Sequence, residues 1–344
     1  MITFRKDIWE EDEYNYEAAY GFRPNIRAFL HEDDKQRDCM LVVPGGGYCM
    51  VVPPEAQIVA EEFYNRGMNA FVLTYTTDIT MAWPLRKQPL NDISRAVRVI
   101  RANAKEYKVE GKKLIVCGFS AGAHVSGSLC THWQDTEDIN PKYAPISNRP
   151  DGGILSYPVI TTGEYTHIYS VQALLGENPS SEELDYFSLE KQVTDNMPPC
   201  FIWQTRTDDL VPVENSYLMA DAMKKAGIEY CHYVFPHGHH GLSISTEQFY
   251  RGDFPDNFTC EQLEGVVKAV FEGTTVGVSE QRIAELKEQF ADWNKPHDGD
   301  NDKAQGDDKA ASGDASKPEV DLNPYPEVRY WPDMAMCWIE GLSK

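Results

Sequence analysis

Ser120 stands in Gly118-Phe119-Ser120-Ala121-Gly122, a serine with a glycine two positions away on each side. The apolar run Leu114 to Cys117 just before it reads as a buried strand, so the pentapeptide reads as a sharp strand-to-helix turn that presents a hydroxyl at a sheet edge. Side chains at 118 and 122 would collide with the neighbouring strand and helix, which is why glycine suits both places. Small residues could also make an ordinary tight turn here. A chemical role for Ser120 therefore depends on partners elsewhere in the chain.

A serine hydroxyl is a weak nucleophile near neutral pH; it needs a base, and the base needs a carboxylate to fix its tautomer and stabilise its charged form. Open α/β sheets place ligands at the C-terminal ends of their strands. The apolar run Cys200 to Thr205 is followed by Asp208 and Asp209, and the run Glu229 to Phe235 by His237, His239 and His240. The chain order Ser, Asp, His is that of the nucleophile-elbow architecture. Either aspartate could fill the role or be an ordinary loop carboxylate. His232 alternates within its strand and reads as structural. The H-x-H spacing of His237 and His239 could chelate zinc, but no cluster of carboxylates or cysteines accompanies it, and a metal would leave Ser120 without a role. No metal and no cofactor is expected. His240, immediately before Gly241, is the candidate base, with His239 as the alternative.

Acyl transfer also needs donors for the negative charge that develops on the carbonyl oxygen, each worth about 3–4 kcal/mol. The backbone N–H of Ala121, next to the nucleophile, is one candidate. Gly46 or Gly47, in the loop Pro44-Gly45-Gly46-Gly47-Tyr48 after the apolar run Cys39 to Val43, supplies another. The glycine run is not a phosphate loop, because no Gly-Lys-Ser/Thr follows it.

The elements that must position these groups alternate. Strands are expected at Cys39 to Val43, Asn69 to Tyr75, Leu114 to Cys117, Gly153 to Tyr157, Cys200 to Thr205 and Glu229 to Phe235. Helices are expected at Glu55 to Arg66, Asn91 to Tyr107 and Glu214 to Ala226, the first and last stopped by Gly67 and Gly227. This alternation implies an α/β fold with a mainly parallel, doubly wound sheet covered on both faces. The first 35 or so residues read as an irregular or edge-strand lead-in. Residues 160–197 separate two core strands by too much chain for a simple crossover and read as a small cap over the site. Residues 244–328 read as an insertion with two helical patterns, one opened by the capping box Thr259-Cys260-Glu261-Gln262. Within it, 297–317 lack large apolar residues and read as a disordered loop. An apolar helix starts at Trp331-Pro332.

The chain has 344 residues, 42% hydrophobic, enough for one large α/β domain spanning 1–344. Its net charge of -22 argues against nucleic acid and anionic membranes as partners and favours a neutral small-molecule substrate. No apolar run reaches the length of a signal peptide core or a membrane span, and the 8 cysteines lack paired spacing. A cytoplasmic protein is expected.

Together these stretches resemble the α/β-hydrolase family, and within it the small carbohydrate esterases akin to acetyl xylan esterases and the hormone-sensitive-lipase branch. The matching segments are Val43 to Tyr48, Trp83-Pro84 with Asp92 and Ala96-Val97-Arg98, Gly118 to His124, and Leu155 to Ile160. They continue with Leu174 to Glu177, Thr207-Asp208 with Val211-Pro212 and Glu214-Asn215-Ser216, and Gly238 to Ser243. In relatives the catalytic acid stands three residues before Val-Pro, which selects Asp208, and the catalytic histidine precedes Gly-Leu or Gly-Phe, which selects His240. His124 corresponds to a supporting histidine. Pro44 replaces the histidine that often precedes the glycine run. The resemblance implies a serine carboxylic-ester hydrolase acting on acetyl or other short acyl groups of a sugar or oligosaccharide, with Tyr48, Trp83, Tyr157 and Tyr165 as candidate sugar-stacking residues. The alternatives are a serine peptidase of prolyl-peptidase type and a non-catalytic binding protein that kept the fold, with 244–328 as its partner surface.

Overall fold

The strands of the computed structural model are β1 (Ile2–Asp7), β2 (Asn25–Leu30), β3 (Cys39–Val43), β4 (Asn69–Thr74), β5 (Leu114–Phe119), β6 (Gly152–Ser156), β7 (Cys200–Thr205) and β8 (Tyr230–Phe235). The structure describes residues 1–255, 257–291 and 321–343. The segment 297–317, expected to be disordered, lies outside them. The strands form one sheet in the order β1-β2-β4-β3-β5-β6-β7-β8. Pairing is parallel from β4 through β8 and antiparallel only at β1 and β2. The lead-in is thus two strands, of which β1 is the charged, exposed edge.

Alternate residues of the central strands face two separate cores. Cys39, Leu41, Val43, Leu114 and Val116 face one; Met40, Val42, Ile115, Cys117 and Phe119 face the other. The first core is covered by α2 (Gln88–Ala102), α3 (Ala121–His132) and α6 (Glu214–Ala226), the second by α1 (Gln57–Asn65) and α10 (Trp331–Gly341). α2 begins and ends earlier than its apolar spacing suggests, because Asn103 closes it and 103–108 continue as turns. Gly227 ends α6 in the left-handed conformation, with φ of 73°.

Segment 160–197 contains α4 (Ile168–Leu175) and α5 (Ser181–Tyr186). Beyond β8 come α7 (Glu247–Tyr250), α8 (Glu261–Glu272) and α9 (Glu280–Gln289). α8 and α9 enclose a small core with Ile79: Leu263, Val266, Val267, Val270, Leu286 and Phe290. The expected capping box at Thr259 does not form. A single 3-10 turn, Phe258–Cys260, leads into α8, the buried Thr259 hydroxyl caps none of its N–H groups, and Gln262 instead exchanges hydrogen bonds with Thr77. That exchange ties α8 to the loop after β4. Among the described residues no helix is long and apolar enough to cross a membrane.

The connection from β3 leads to β4 on one side, and the chain then crosses to β5 on the other. This reversal opens a crevice at the C-terminal ends of β3 and β5, where the glycine loop and Ser120 both lie.

Candidate active site

Ser120 links β5 to α3 with φ 52° and ψ -119°, a strained conformation for a residue with a side chain. Close packing explains the two glycines. A Cβ on Gly118 would lie 2.3 Å from the Gly122 carbonyl oxygen, and one on Gly122 would lie 2.1 Å from the Val43 carbonyl oxygen at the end of β3. The turn can therefore fold back only with both side chains missing, and this directs the Ser120 hydroxyl into the crevice.

The loop after β8 brings His240 to that hydroxyl, with Nε2 2.8 Å from Ser120 Oγ. On the other side of the ring, Nδ1 is 2.9 Å from Asp208 Oδ2. A carboxylate only accepts, so Nδ1 carries the proton and Nε2 accepts from Ser120. Asp208 is in turn held by the N–H groups of Leu210 and Val211, at 3.0 and 2.9 Å. Asp209 binds the backbone of the same histidine instead. Its Oδ1 accepts the His240 N–H at 2.9 Å, a bond that holds its carboxyl below the usual range. His239 points away, its ring edge-on to Tyr325, and His232 meets Ser216 Oγ at 3.0 Å.

The glycine loop lies directly against the elbow. A Cβ on Gly45 would come within 2.9 Å of both Ser120 Cβ and Glu55 Oε2. No acceptor among the described residues takes the N–H of Gly46, Gly47 or Ala121, so these donors are free to face a ligand oxygen. Gly45 N–H is instead taken by Glu55 at 2.6 Å.

Sequence reasoning missed Glu55. Expected as the first residue of a helix, it instead closes the 3-10 turn Pro53–Glu55 ahead of α1 and is buried. Burial pushes its carboxyl above the usual range, while bonds from Tyr157 and Gly45 oppose that push. It also missed His167 and Ser170, which lie beside the glycine loop. Their side chains are 2.8 Å apart, Ser170 Oγ lies 3.9 Å from where a Gly47 Cβ would be, and burial followed by the nearby His240 charge lowers the His167 pKa.

Of the four expected sugar-stacking residues, three are used otherwise. Tyr48 is 2% exposed and its hydroxyl donates to His124 Nδ1 at 2.6 Å. Tyr157 is also 2% exposed, edge-on to His240 with ring centres 4.9 Å apart. The Trp83 indole donates to the Val276 carbonyl, and a Cβ on Gly277 would sit 2.9–3.0 Å from its ring atoms, so the α8–α9 connection covers it. Tyr165 is half-buried, and its carbonyl accepts from Asn215. Tyr169, on α4, is exposed and edge-on to His167, with ring centres 6.1 Å apart.

In comparison with known proteins the chain is similar to esterases and related hydrolases. The BD-FAE family model matches residues 29–223, from β2 into α6. Over 259 residues the chain is 64% identical to endo-1,4-beta-xylanase B of Butyrivibrio fibrisolvens, covering 75% of this chain and 41% of that protein. Over 252 residues it is 30% identical to an acetylxylan esterase of Xylanibacter ruminicola, covering 72% of this chain and 49% of that protein. The chain thus spans less than half the length of these two curated relatives. Among solved structures, an acetyl ester-xyloside bifunctional hydrolase from Caldicellulosiruptor lactoaceticus matches with TM-score 0.66 and 32% identity, over 79% of this chain and 97% of that one. A carboxylesterase from Lactobacillus plantarum matches over 100% of both chains with TM-score 0.64 and 19% identity, a likeness of fold.

Proposed function

The chain belongs to the BD-FAE family, and from that premise we propose that it is a serine-dependent carboxylic ester hydrolase that removes acetyl or other short acyl groups from sugars or oligosaccharides. The observation that carries this reading is the chain of contacts from Asp208 through His240 to Ser120 Oγ, beside the unclaimed N–H groups of Gly46, Gly47 and Ala121.

In this mechanism Ser120 Oγ attacks the ester carbonyl while its proton passes to His240 Nε2. Asp208 fixes the imidazole orientation and stabilises the imidazolium. Ala121 N–H with Gly46 or Gly47 N–H holds the oxyanion of the tetrahedral intermediate. The intermediate collapses, the sugar alkoxide leaves with the proton from His240, and Ser120 remains acylated. Water then attacks the acyl carbonyl, giving its proton to His240, and the carboxylic acid departs as Ser120 recovers its own.

The acyl and sugar preferences draw support from relatives named for acetylxylan and acetyl ester-xyloside hydrolysis. The test is turnover of an acetylated xylo-oligosaccharide, short-chain, long-chain and feruloyl aryl esters, and an aminoacyl amide. Short-chain ester hydrolysis that falls at least about 1000-fold in Ser120→Ala is expected. Preferential amide cleavage would overturn the esterase reading, and undiminished turnover by Ser120→Ala would overturn the assignment of the nucleophile.

A further inference from the structure

The buried carboxylate of Glu55 stands between the two loops that complete the site. Oε2 accepts Gly45 N–H at 2.6 Å at the root of the glycine loop, and Oε1 accepts the Tyr157 hydroxyl at 2.6 Å. Tyr157 Oη itself accepts the N–H of Ser243, at 3.0 Å, on the segment that follows His240. Ser243 is fastened twice more: its hydroxyl donates to the Pro54 carbonyl at 2.7 Å, and its own carbonyl accepts Trp331 Nε1–H from α10 at 2.8 Å.

Donor counting fixes the direction of these bonds. Gly45 and Ser243 offer N–H groups that can only donate. The Tyr157 proton therefore goes to Glu55, which accepts at both oxygens as a carboxylate does. The Tyr157 ring lies edge-on to His240, and Gly45 brings Ser120 to the other side of the same carboxylate. An ordinary structural glutamate would hold one loop; this one holds both ends of the catalytic apparatus at once.

We propose that Glu55 is a positioning residue: as a buried carboxylate it sets the glycine loop against Ser120, holds the His240 loop through Tyr157 and Ser243, and places a fixed negative charge beside the imidazolium that forms in the reaction. This rests on the esterase reading given above. The ionisable groups around Glu55 are Tyr75, Cys117, Tyr157 and His240. Those around His240 are Asp208, Asp209, His167, His239 and Tyr157. No lysine or arginine stands among them. Glu55 and Asp208 are thus the buried anions that can offset the imidazolium charge.

Glu55→Gln keeps the shape but loses the charge, and its amide NH2 must face a group that already donates. Per active site, kcat for a short-chain ester falls roughly 10- to 100-fold with KM within about threefold, since the oxyanion donors and the base shift while substrate contacts stay. The acid limb of the kcat/KM profile moves to lower pH, because protonating the imidazole becomes harder without the neighbouring anion. Active sites are counted by phosphonylation of Ser120 with a fluorophosphonate, so an unfolded fraction drops out. Unchanged per-site kcat with an unmoved acid limb would overturn the proposal and leave Glu55 a purely structural residue. If Glu55→Gln does not fold, Tyr157→Phe, which keeps the carboxylate but cuts its link to Ser243, is judged by per-site kcat, and an unchanged value overturns the proposal. Wild-type protein that takes up no phosphonate and cleaves no ester would refute the esterase reading itself; reactive wild type matched by the variant would refute only the role of Glu55.

Discussion

Asp208 and Asp209 are adjacent carboxylates with separable roles. Asp208 meets the imidazole Nδ1–H, whereas Asp209 meets the backbone N–H of the same histidine. Asp208→Asn removes the charge that stabilises the imidazolium and lets the amide hold the wrong tautomer, so kcat falls by about 1000- to 10,000-fold. Asp209→Asn keeps an acceptor for the His240 N–H and costs less than about tenfold. Steady-state kinetics on a short-chain ester separate the two, and equal losses would contradict the division of labour. The sequence holds Ser120, Asp208 and His240 in a recognisable order because each follows a strand end that its own apolar run marks. Glu55 has no such marker. Its burial depends on Tyr157, which lies 102 residues away, so in the sequence it looks like any glutamate near a helix start. Tyr48 and Tyr157 misled for the converse reason. An aromatic beside a motif reads equally well as a binding face or as packing, and only the partners of its hydroxyl tell the two apart.

At the scale of elements, β3 to β8 were legible as short runs rich in apolar residues, whereas the charged β1 and the short β2 showed only as a lead-in, and the site follows from the reversal of strand order between β3 and β5. Helix ends were less legible. The apolar spacing of α2 continues past Asn103 although its hydrogen bonds do not, and the Thr259 motif lost to a tertiary bond between Gln262 and Thr77. α4 shows what spacing alone omits. It carries Ser170 toward the glycine loop on one side and leaves Ile168 and Tyr169 50% and 62% exposed on the other. Tyr169 lies against His167, which is close enough to His240 to feel its charge, so an extended sugar substrate is expected to meet the Tyr169 ring and a small aryl acetate is not. Tyr169→Ala should therefore raise KM for an acetylated xylo-oligosaccharide about threefold to tenfold, the worth of one aromatic contact, and leave KM for phenyl acetate unchanged. A KM rise shared by both substrates would instead mean that the change disturbs the site itself.

The whole molecule adds a dependence on pH that no single loop sets. His124 is buried beneath the elbow, where its Nε2–H donates to the Phe187 carbonyl at 2.9 Å and its Nδ1 accepts from Tyr48. Burial pushes its pKa from the ordinary 6.5 down to about 4. Between those two values the unfolded chain binds a proton that the folded protein refuses. Its contribution is therefore fully present above pH 6.5 and is lost as pH falls toward 4. From pH 7 to pH 5 this one group removes about 2 kcal/mol. Burial lowers His132, His167 and His232 in the same direction. The buried carboxyls Glu55, Asp78 and Asp92 act oppositely, since their raised pKa values let the folded protein take up protons first. Partial neutralisation of the net charge of -22 also favours the compact state as pH falls. The slope for the intact protein is thus a difference of large effects, but all except one are shared by wild type and His124→Gln. The variant loses stability at pH 7 through its altered bonds to Tyr48 and Phe187, yet the gap to wild type should narrow by about 2 kcal/mol at pH 5. Urea unfolding at the two pH values measures that narrowing, and a gap that stays constant would mean that His124 is not the group that senses acid.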